Sequence, residues 1–199
     1  GREADEHPVQ AEDLTAGAAT PEGARKAPSS FRNQATRPPA PAEVMLDSDN
    51  AAFIRTGVSI SLASCGPDHL PGMSRGLGCK LLDAGRQVAV FVGHSQSKAL
   101  LDHIRRGGRV ANVFSLPSSN RTPQLKGIDA GIVPVAPADQ PIVEKHLADL
   151  ILEVIPLGMA EAVVRAILAS RPDDLSTVVY TPCAVFSQTP GPKAGERPD

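Results

Sequence analysis

The sequence predicts a mainly β domain of the α+β class, built as a six-stranded antiparallel barrel. Short apolar segments, some alternating with polar residues and some continuous, recur along the chain and are separated by turn residues. Only one helical pattern falls among the first five of these segments. Because a doubly wound parallel sheet needs a helix after nearly every strand, consecutive strands favour an antiparallel barrel.

The six strands are predicted from hydrophobic periodicity and from the turns between them. They cover residues 58–63, 73–82, 87–92, 110–116, 124–135 and 177–181. The third is apolar enough to be buried on both faces of the sheet. The fifth is long for a strand and contains two glycines, so we expect a bend at Gly127 or Gly131.

Helical patterns accompany the strands. A short helix capped by Asp47 or Ser48 precedes the first strand, and a helix capped by Ser95 and ended by Gly107 and Gly108 is inserted after the third. Two further helices, in the C-terminal half, begin near residues 137 and 157. Their apolar faces are expected to contain Ile142, His146, Leu147, Leu150 and Ile151 in the first and Ala160, Val163, Val164 and Ile167 in the second.

Residues 1–44 differ in composition from the rest of the chain. They are rich in Ala, Pro, Gly and charged residues and have no apolar periodicity, which is typical of a disordered tail. We therefore expect a tail over residues 1–44 and one folded domain over residues 45–195.

Composition argues against several classes of function. The net charge of -2, the pI near 6.2 and the 3% aromatic content give no general affinity for nucleic acid. No apolar run approaches the roughly 20 residues that span a bilayer. The three cysteines lack CxxC spacing and the histidines lack metal spacing. We expect a cytoplasmic protein with reduced thiols that binds no metal, nucleic acid or membrane.

Three polar clusters at strand ends and loops could carry chemistry. The first contains Arg75 and Lys80 on the second strand. Their odd spacing puts them on opposite faces of a regular strand, unless a bulge at Gly76 or Gly78 changes the phase. The alternative is a pair of solvated charges at a sheet edge.

The second and third clusters are candidates for anion binding. Residues 94–98 begin the inserted helix, where Ser97, Lys98 and free backbone N–H groups could bind an anion; an ordinary N-cap is the alternative. Residues 120–127 combine Thr122, Gln124 and Lys126 with small neighbours, and could hold phosphate or the edge of a planar heterocycle. A solvated turn explains them equally well.

Three stretches of sequence, in their order and spacing, resemble the FMN-binding split barrels of the pyridoxamine 5′-phosphate oxidase-like superfamily. They are residues 74–80 (SRGLGCK), residues 113–115 (VFS) followed by 121–127 (RTPQLKG), and residues 186–192 (FSQTPGP). The resemblance covers about residues 45–195. It implies a split barrel with FMN at a homodimer interface.

The resemblance also implies roles for individual residues. It assigns Arg75, Lys80, Ser97 and Lys98 to the flavin phosphate, and Gln124, with Thr122 and Lys126, to the isoalloxazine ring. Gly93-His94 stands where pyridoxamine phosphate oxidases proper carry a Tyr-Thr type pair, and their C-terminal substrate-binding arginines are not recognisable. Oxidation of vitamin B6 is therefore not implied.

Two functions follow as hypotheses. The first is an FMN-dependent oxidoreductase that exchanges hydride or electrons with a small organic substrate or NAD(P)H, with the catalysis carried by the flavin. The second is a non-enzymatic flavin or haem binder used for storage or sensing. A homodimer is expected in either case, because strand faces such as Val88, Val90 and Val113 would need cover.

Overall fold

The computed structural model describes residues 44–197, so the predicted tail lies outside the described residues apart from Val44. The described strands are Ser59–Cys65 (β1), Pro71–Leu82 (β2), Gln87–Gly93 (β3), Val110–Ser115 (β4), Pro123–Gly127 (β5), Gly131–Val133 (β6), Leu175–Tyr180 (β7) and Ala184–Ser187 (β8). The described α-helices are Ser48–Phe53 (α1), Lys98–Gly107 (α2), Gln140–Val154 (α3) and Glu161–Ile167 (α4).

All eight strands form one antiparallel sheet in the order β6-β7-β3-β2-β1-β4-β5-β8. Strands that are distant in this order contact each other across the interior, which shows that the sheet is curled. Asn112 of β4 donates a hydrogen bond to the hydroxyl of Tyr180 in β7 (3.0 Å). At Gly127 of β5, a Cβ atom would lie 2.6 Å from the Tyr180 ring, so only glycine allows this approach. The predicted antiparallel split barrel is confirmed.

The main core fills the inside of the curled sheet. It contains Val88 and Val90 of β3 and Phe114 of β4, all fully buried, and α2 contributes Leu100, Leu101 and Ile104. The expectation that Val88 and Val90 need cover from a partner is therefore wrong, because both point into the barrel. Val113 points outward and is half-buried.

A second apolar cluster lies on the outer face of β2 and β3, under α3 and α4. Its buried members are Leu77, Phe91, Val143, Leu150, Ile151, Val154, Val164 and Leu168. The two clusters together bury both faces of β3, as predicted. The outer faces of β1, β4 and β5 carry no such helical cover among the described residues.

The number of strands differs from the prediction. The predicted fifth strand is two strands, because the chain changes neighbours after Gly127: β5 pairs with β4 and β8, whereas β6 pairs with β7. Ala130, between them, donates its N–H to Gly108 O, and Asp129 accepts from Thr181 N. The short strand β8 was not predicted.

The helices lie where they were predicted, but one predicted cap and one predicted buried face differ from the structure. Asp47 caps α1 by accepting from Asn50 N (2.7 Å). Ser95 is not a cap, since a 3-10 turn over Ser95–Ser97 precedes α2. In α4 only Val164 of the predicted face is buried, and Val163 and Ile167 are nearly half exposed. This helix is only seven residues long and buries one side chain, so the apolar face that the sequence predicts is larger than the face that is buried.

The three cysteines are free thiols. Cys79 is buried and its Sγ donates to Ile54 O, and burial raises the pKa of its thiol to about 12. Cys65 is exposed and Cys183 is half-buried.

His146 of α3 lies against β2 and is 5% exposed, and its Nε2 atom has no hydrogen-bond partner among the described residues. Burial lowers its pKa from 6.5 to about 4, a shift that Asp149 opposes and Lys145 assists. The neutral imidazole is therefore the form that the fold accommodates, while the unfolded chain takes up a proton near its ordinary pKa.

We expect acidification to destabilise the protein through His146. The contribution of the neutral imidazole to the free energy of unfolding is fully present above pH 6.5 and is lost as the pH falls towards 4. The difference between the folded and unfolded pKa values corresponds to a loss of about 3 kcal/mol. Urea unfolding at a series of pH values should show this fall, and His146→Leu should show a shallower one. Replacing an exposed histidine, His69→Asn, should leave the wild-type slope. Equal slopes in wild type and His146→Leu would contradict the prediction.

Candidate functional site

A β-bulge decides where the two basic residues of β2 point. Gly76 pairs with Val92, but Gly78 pairs with Phe91, so β2 contains one extra residue at this point. Gly78 has φ of 147°, a conformation that favours glycine. The extra residue changes the phase of the strand, so Arg75 and Lys80 lie on the same outer face of the sheet. The bulge considered in the sequence analysis is present.

Arg75 and Lys80 nevertheless lie in different surroundings. The exposed Arg75 donates from Nη1 to Ser59 Oγ (3.1 Å) on the neighbouring strand. Lys80 lies beneath α3, where its Nζ is 2.5 Å from Oδ1 of the nearly buried Asp139. The ammonium of Lys80 is also 5.9 Å from the centre of the Phe91 ring. Arg75 is open to a ligand, whereas Lys80 is already neutralised by a carboxylate.

The start of α2 contacts β2 at Ser74. Ser97 is buried and its Oγ is 2.6 Å from Oγ of Ser74, the residue before Arg75. Lys98 follows it and is exposed, and none of the ion pairs among the described residues involves it. Consecutive side chains of a strand point to opposite faces, so Ser97 lies against the opposite side of β2 from the outward-pointing Arg75. The grouping of Arg75, Ser97 and Lys98 at one site stays a prediction.

Part of this helix start already has an acidic partner. Asp174, just before β7, accepts from the N–H of Ser95 (3.0 Å) and from its hydroxyl (2.5 Å). These bonds from Ser95 lower the pKa of the Asp174 carboxyl. The donors of Ser95 are therefore satisfied within the chain, and Ser97 is buried with its N–H bonded to His94 O and its hydroxyl to Ser74. Lys98 is left as the exposed cation of this helix start.

The register of the sheet connects Arg75 with the third predicted cluster. One row of paired residues runs across the outer face of five strands: Arg75, Ser61, Val113, Gln124 and Phe186. At a strand spacing of about 4.8 Å, the backbones of Arg75 and Gln124 are about 14 Å apart. The next row is Met73, Ala63, Ala111, Lys126 and Ala184. Of the predicted residues, Arg75, Gln124 and Lys126 therefore lie on one surface, whereas Lys80, Ser97 and Lys98 are not part of these rows.

The residues of the third cluster differ in how many hydrogen bonds they already form within the chain. The Thr122 hydroxyl is 2.5 Å from that of Ser115, and its backbone is bonded on both sides to residues 188 and 189. Gln124 is half-buried and accepts from Nε2 of Gln188 (3.4 Å). Lys126 is exposed, with its Nζ 4.6 Å from the centre of the Phe186 ring. The hydrogen-bonding groups of Thr122 are used within the fold, whereas the side chains of Gln124 and Lys126 have donors that could bond to a ligand.

Small side chains of the second row border a groove that neither Arg75 nor Gln124 lines. Ala63, Ala111 and Ala184 form its floor, and Lys126 and Phe186 lie at one side. The groove has a volume of about 510 Å3, within the usual range for small-molecule sites. No group of three metal-binding side chains occurs in residues 44–197, and no helix in that range is long and apolar enough to cross a bilayer.

Sequence reasoning missed the C-terminal wall of this surface. Phe186 on β8 receives Lys126 from one side, and Arg197 lies 5.3 Å from the ring centre. The segment 186–192 was noted for its resemblance, but a four-residue strand followed by a Pro- and Gly-rich loop gives little periodic signal. Only the short apolar run at residues 184–186 could have indicated it.

No protein-family model matches this sequence, and no curated protein matches it significantly. Several solved structures are similar to it. HupZ of Group A Streptococcus is 10% identical, with 76% of this chain and 100% of that one covered and a TM-score of 0.47. A conserved hypothetical protein from Mycobacterium tuberculosis is 20% identical, with coverages of 73% and 85% and a TM-score of 0.44. A pyridoxamine 5′-phosphate oxidase-related, FMN-binding protein from Nostoc punctiforme is 13% identical, with coverages of 75% and 89% and a TM-score of 0.43.

Proposed function

We propose that this chain is an FMN-binding protein of the pyridoxamine 5′-phosphate oxidase-like group, and that it is an oxidoreductase acting on a small organic substrate or NAD(P)H. The observation that carries the proposal is the register of the outer face. Arg75 and Gln124 lie in one row, separated by Ser61 and Val113, and the next row contains Ala63, Ala111 and Lys126. A guanidinium at one end, and an amide with an ammonium at the other, suit a ligand with a phosphate and a polar heterocycle.

The phosphate end of the proposed site consists of Arg75, Ser97 and Lys98. The guanidinium and ammonium would meet the phosphate with charge-assisted hydrogen bonds, which are stronger than neutral ones. Lys80 is a weaker member of this set, because its ammonium would have to leave Asp139.

The ring end of the proposed site is the groove over Ala63 and Ala111, which Lys126 lines. Gln124 lies in the neighbouring row of the same sheet face. Alanine side chains leave room for a planar ring, and Gln124 can both donate and accept hydrogen bonds at its polar edge. Bound FMN would supply hydride or electron transfer, while the residues of the chain anchor the phosphate and orient the ring.

A homodimer is part of the proposal. The uncovered outer face exposes Met73 by 72% and Leu70 by 64%, next to the half-buried Ala63, Ala111 and Val113. Burial of this apolar surface by a second copy would exclude water from the groove. The cytoplasmic location and the disordered tail over residues 1–44 stay predictions.

The absorbance spectrum of the purified full chain tests the proposed cofactor. A flavin spectrum, followed by its bleaching in stopped flow with NADH or NADPH, is the outcome expected for the oxidoreductase. A flavin spectrum that no reductant bleaches would instead favour the binding or sensing role. A haem Soret band in place of the flavin bands would overturn the FMN assignment.

Arg75→Ala and Lys98→Ala should each raise the dissociation constant for FMN roughly ten- to a hundredfold, because each removes a charge-assisted hydrogen bond to phosphate. Riboflavin lacks the phosphate, so its affinity should change little. Fluorescence titration of the flavin-free protein with both ligands measures this difference.

Two controls accompany the titration. Arg165→Ala removes an exposed arginine of α4, which is paired with Glu161, and should leave both affinities unchanged. Gln124→Ala should weaken both flavins alike, since its proposed position is at the ring. Equal losses for FMN and riboflavin in Arg75→Ala would show that the phosphate assignment is wrong.

Ala111→Lys should convert the proposed dimer into a monomer, because it adds a charge to the middle of the uncovered face. Leu152→Lys adds the same charge on α3, where the leucine is 72% exposed, and should leave a dimer. Light scattering at micromolar concentration distinguishes the two species. A monomer produced by Leu152→Lys and not by Ala111→Lys would place the interface at the helices instead.

A further inference from the structure

A second cavity lies beyond the ring end of the proposed flavin site. It has a volume of about 420 Å3, and Phe186 forms a wall that it shares with the groove. Three cations line it, Arg121, Lys193 and Arg197, against one carboxylate, that of Glu196. The cavity is large enough for a small organic molecule.

The C-terminal loop that forms this cavity is held by main-chain hydrogen bonds. Ser187 donates to Glu196 O (2.9 Å) and Gly195 donates to Ser187 O (2.6 Å), so the loop returns to its starting point. Gln188 also donates to Thr122 O (2.6 Å), and Thr189 Oγ1 accepts from Thr122 N (2.9 Å). These bonds fix the loop to β5, and they hold Lys193 and Arg197 beside Arg121.

The cations differ in how far they are already engaged. Arg121 stacks over Phe53 at 4.2 Å and donates to Asp49 Oδ2 (2.8 Å), so it is committed in part to α1. Lys193 and Arg197 take no part in the ion pairs found within residues 44–197. A guanidinium and an ammonium that line one cavity, and that form no ion pair with a carboxylate of residues 44–197, favour an anionic ligand.

We propose that this cavity binds the anionic group, a carboxylate or a phosphate ester, of a small organic substrate. The inference rests on the proposed function, since it takes the neighbouring groove as the flavin site. Phe186 and Arg197 line both the cavity and the groove and form the boundary between them. An anion held at Arg197 and Lys193 would leave the rest of the molecule next to Phe186, on the side of the proposed ring.

Isothermal titration of the FMN-saturated full chain with inorganic phosphate and with benzoate tests the inference. Saturation with FMN fills the proposed phosphate site at Arg75 and Lys98, so that remaining anion binding reports the second cavity. At least one probe should bind, and Lys193→Gln combined with Arg197→Gln should raise its dissociation constant tenfold or more. Binding of phosphate alone identifies a phosphate ester as the group, and binding of benzoate alone identifies a carboxylate.

The controls separate this inference from the proposed function. Arg165→Gln should leave anion binding unchanged, and the double variant should keep its affinity for FMN. If neither probe binds the wild type while FMN does, the inference fails and the proposed function stands. If the double variant loses FMN as strongly as the anion, the cavity holds the flavin phosphate and the inference is wrong. If FMN does not bind at all, the proposed function fails, and titration of the protein as purified still decides whether the cavity binds anions.

Discussion

The extra residue in β2 between Gly76 and Gly78 allows this strand to contribute both to the barrel core and to the apolar cluster under α3 and α4. Before the bulge, the inward residues of β2 face the barrel core and its outward residues are free of helices. After the bulge, Cys79 and Leu81 continue the core while Lys80 lies under α3. An unbulged strand would turn Lys80 into the core, where an unpaired ammonium is very costly. The bulge therefore makes both packing layers and the basic outer face compatible with one sequence.

The outer face is consequently divided into two halves with different uses. The half formed by β3, β7 and the end of β2 is covered by α3 and α4, and its one lysine is neutralised by Asp139. On the other half, Arg75 and Lys126 are exposed and alanines border a groove. Under the proposed function, helix packing and ligand binding use opposite halves of one sheet, so that the charges that would bind a ligand are not buried in the fold.

Much of the architecture could be predicted from the sequence, because periodicity and turn residues report which face of a strand or helix is buried. The strands up to β4, the helix inserted after β3 and the cap at Asp47 follow from such local signals. The division of the predicted fifth strand could not be predicted, because it depends on Tyr180 contacting Gly127 from a strand about fifty residues away. The burial of α4 was overestimated for a similar reason: only its neighbour α3 decides which side is covered.

The candidate site residues stay predictions, and the structure shows which surroundings the sequence did not indicate. The residue types and their order indicated Arg75, Ser97, Lys98 and Gln124, but the side-chain partners did not follow from them. Sequence separation hides that Asp139 reaches Lys80 and that Asp174 reaches Ser95. The contribution of Arg197 and Phe186 depends on a return loop whose closure is made by main-chain bonds. Main-chain hydrogen bonds depend little on which side chains are present, so the sequence does not indicate them.

The environments of the three thiols have a practical consequence for chemistry at this surface. Cys65 and Cys183 both border the groove, while Cys79 is enclosed in the core with its thiol held protonated by burial. Since the thiolate is the reactive form, alkylating reagents and oxidants discriminate between these positions. The wild-type chain therefore offers two attachment points for reporter groups beside the groove, without mutation and without disturbing the sulfur inside the barrel.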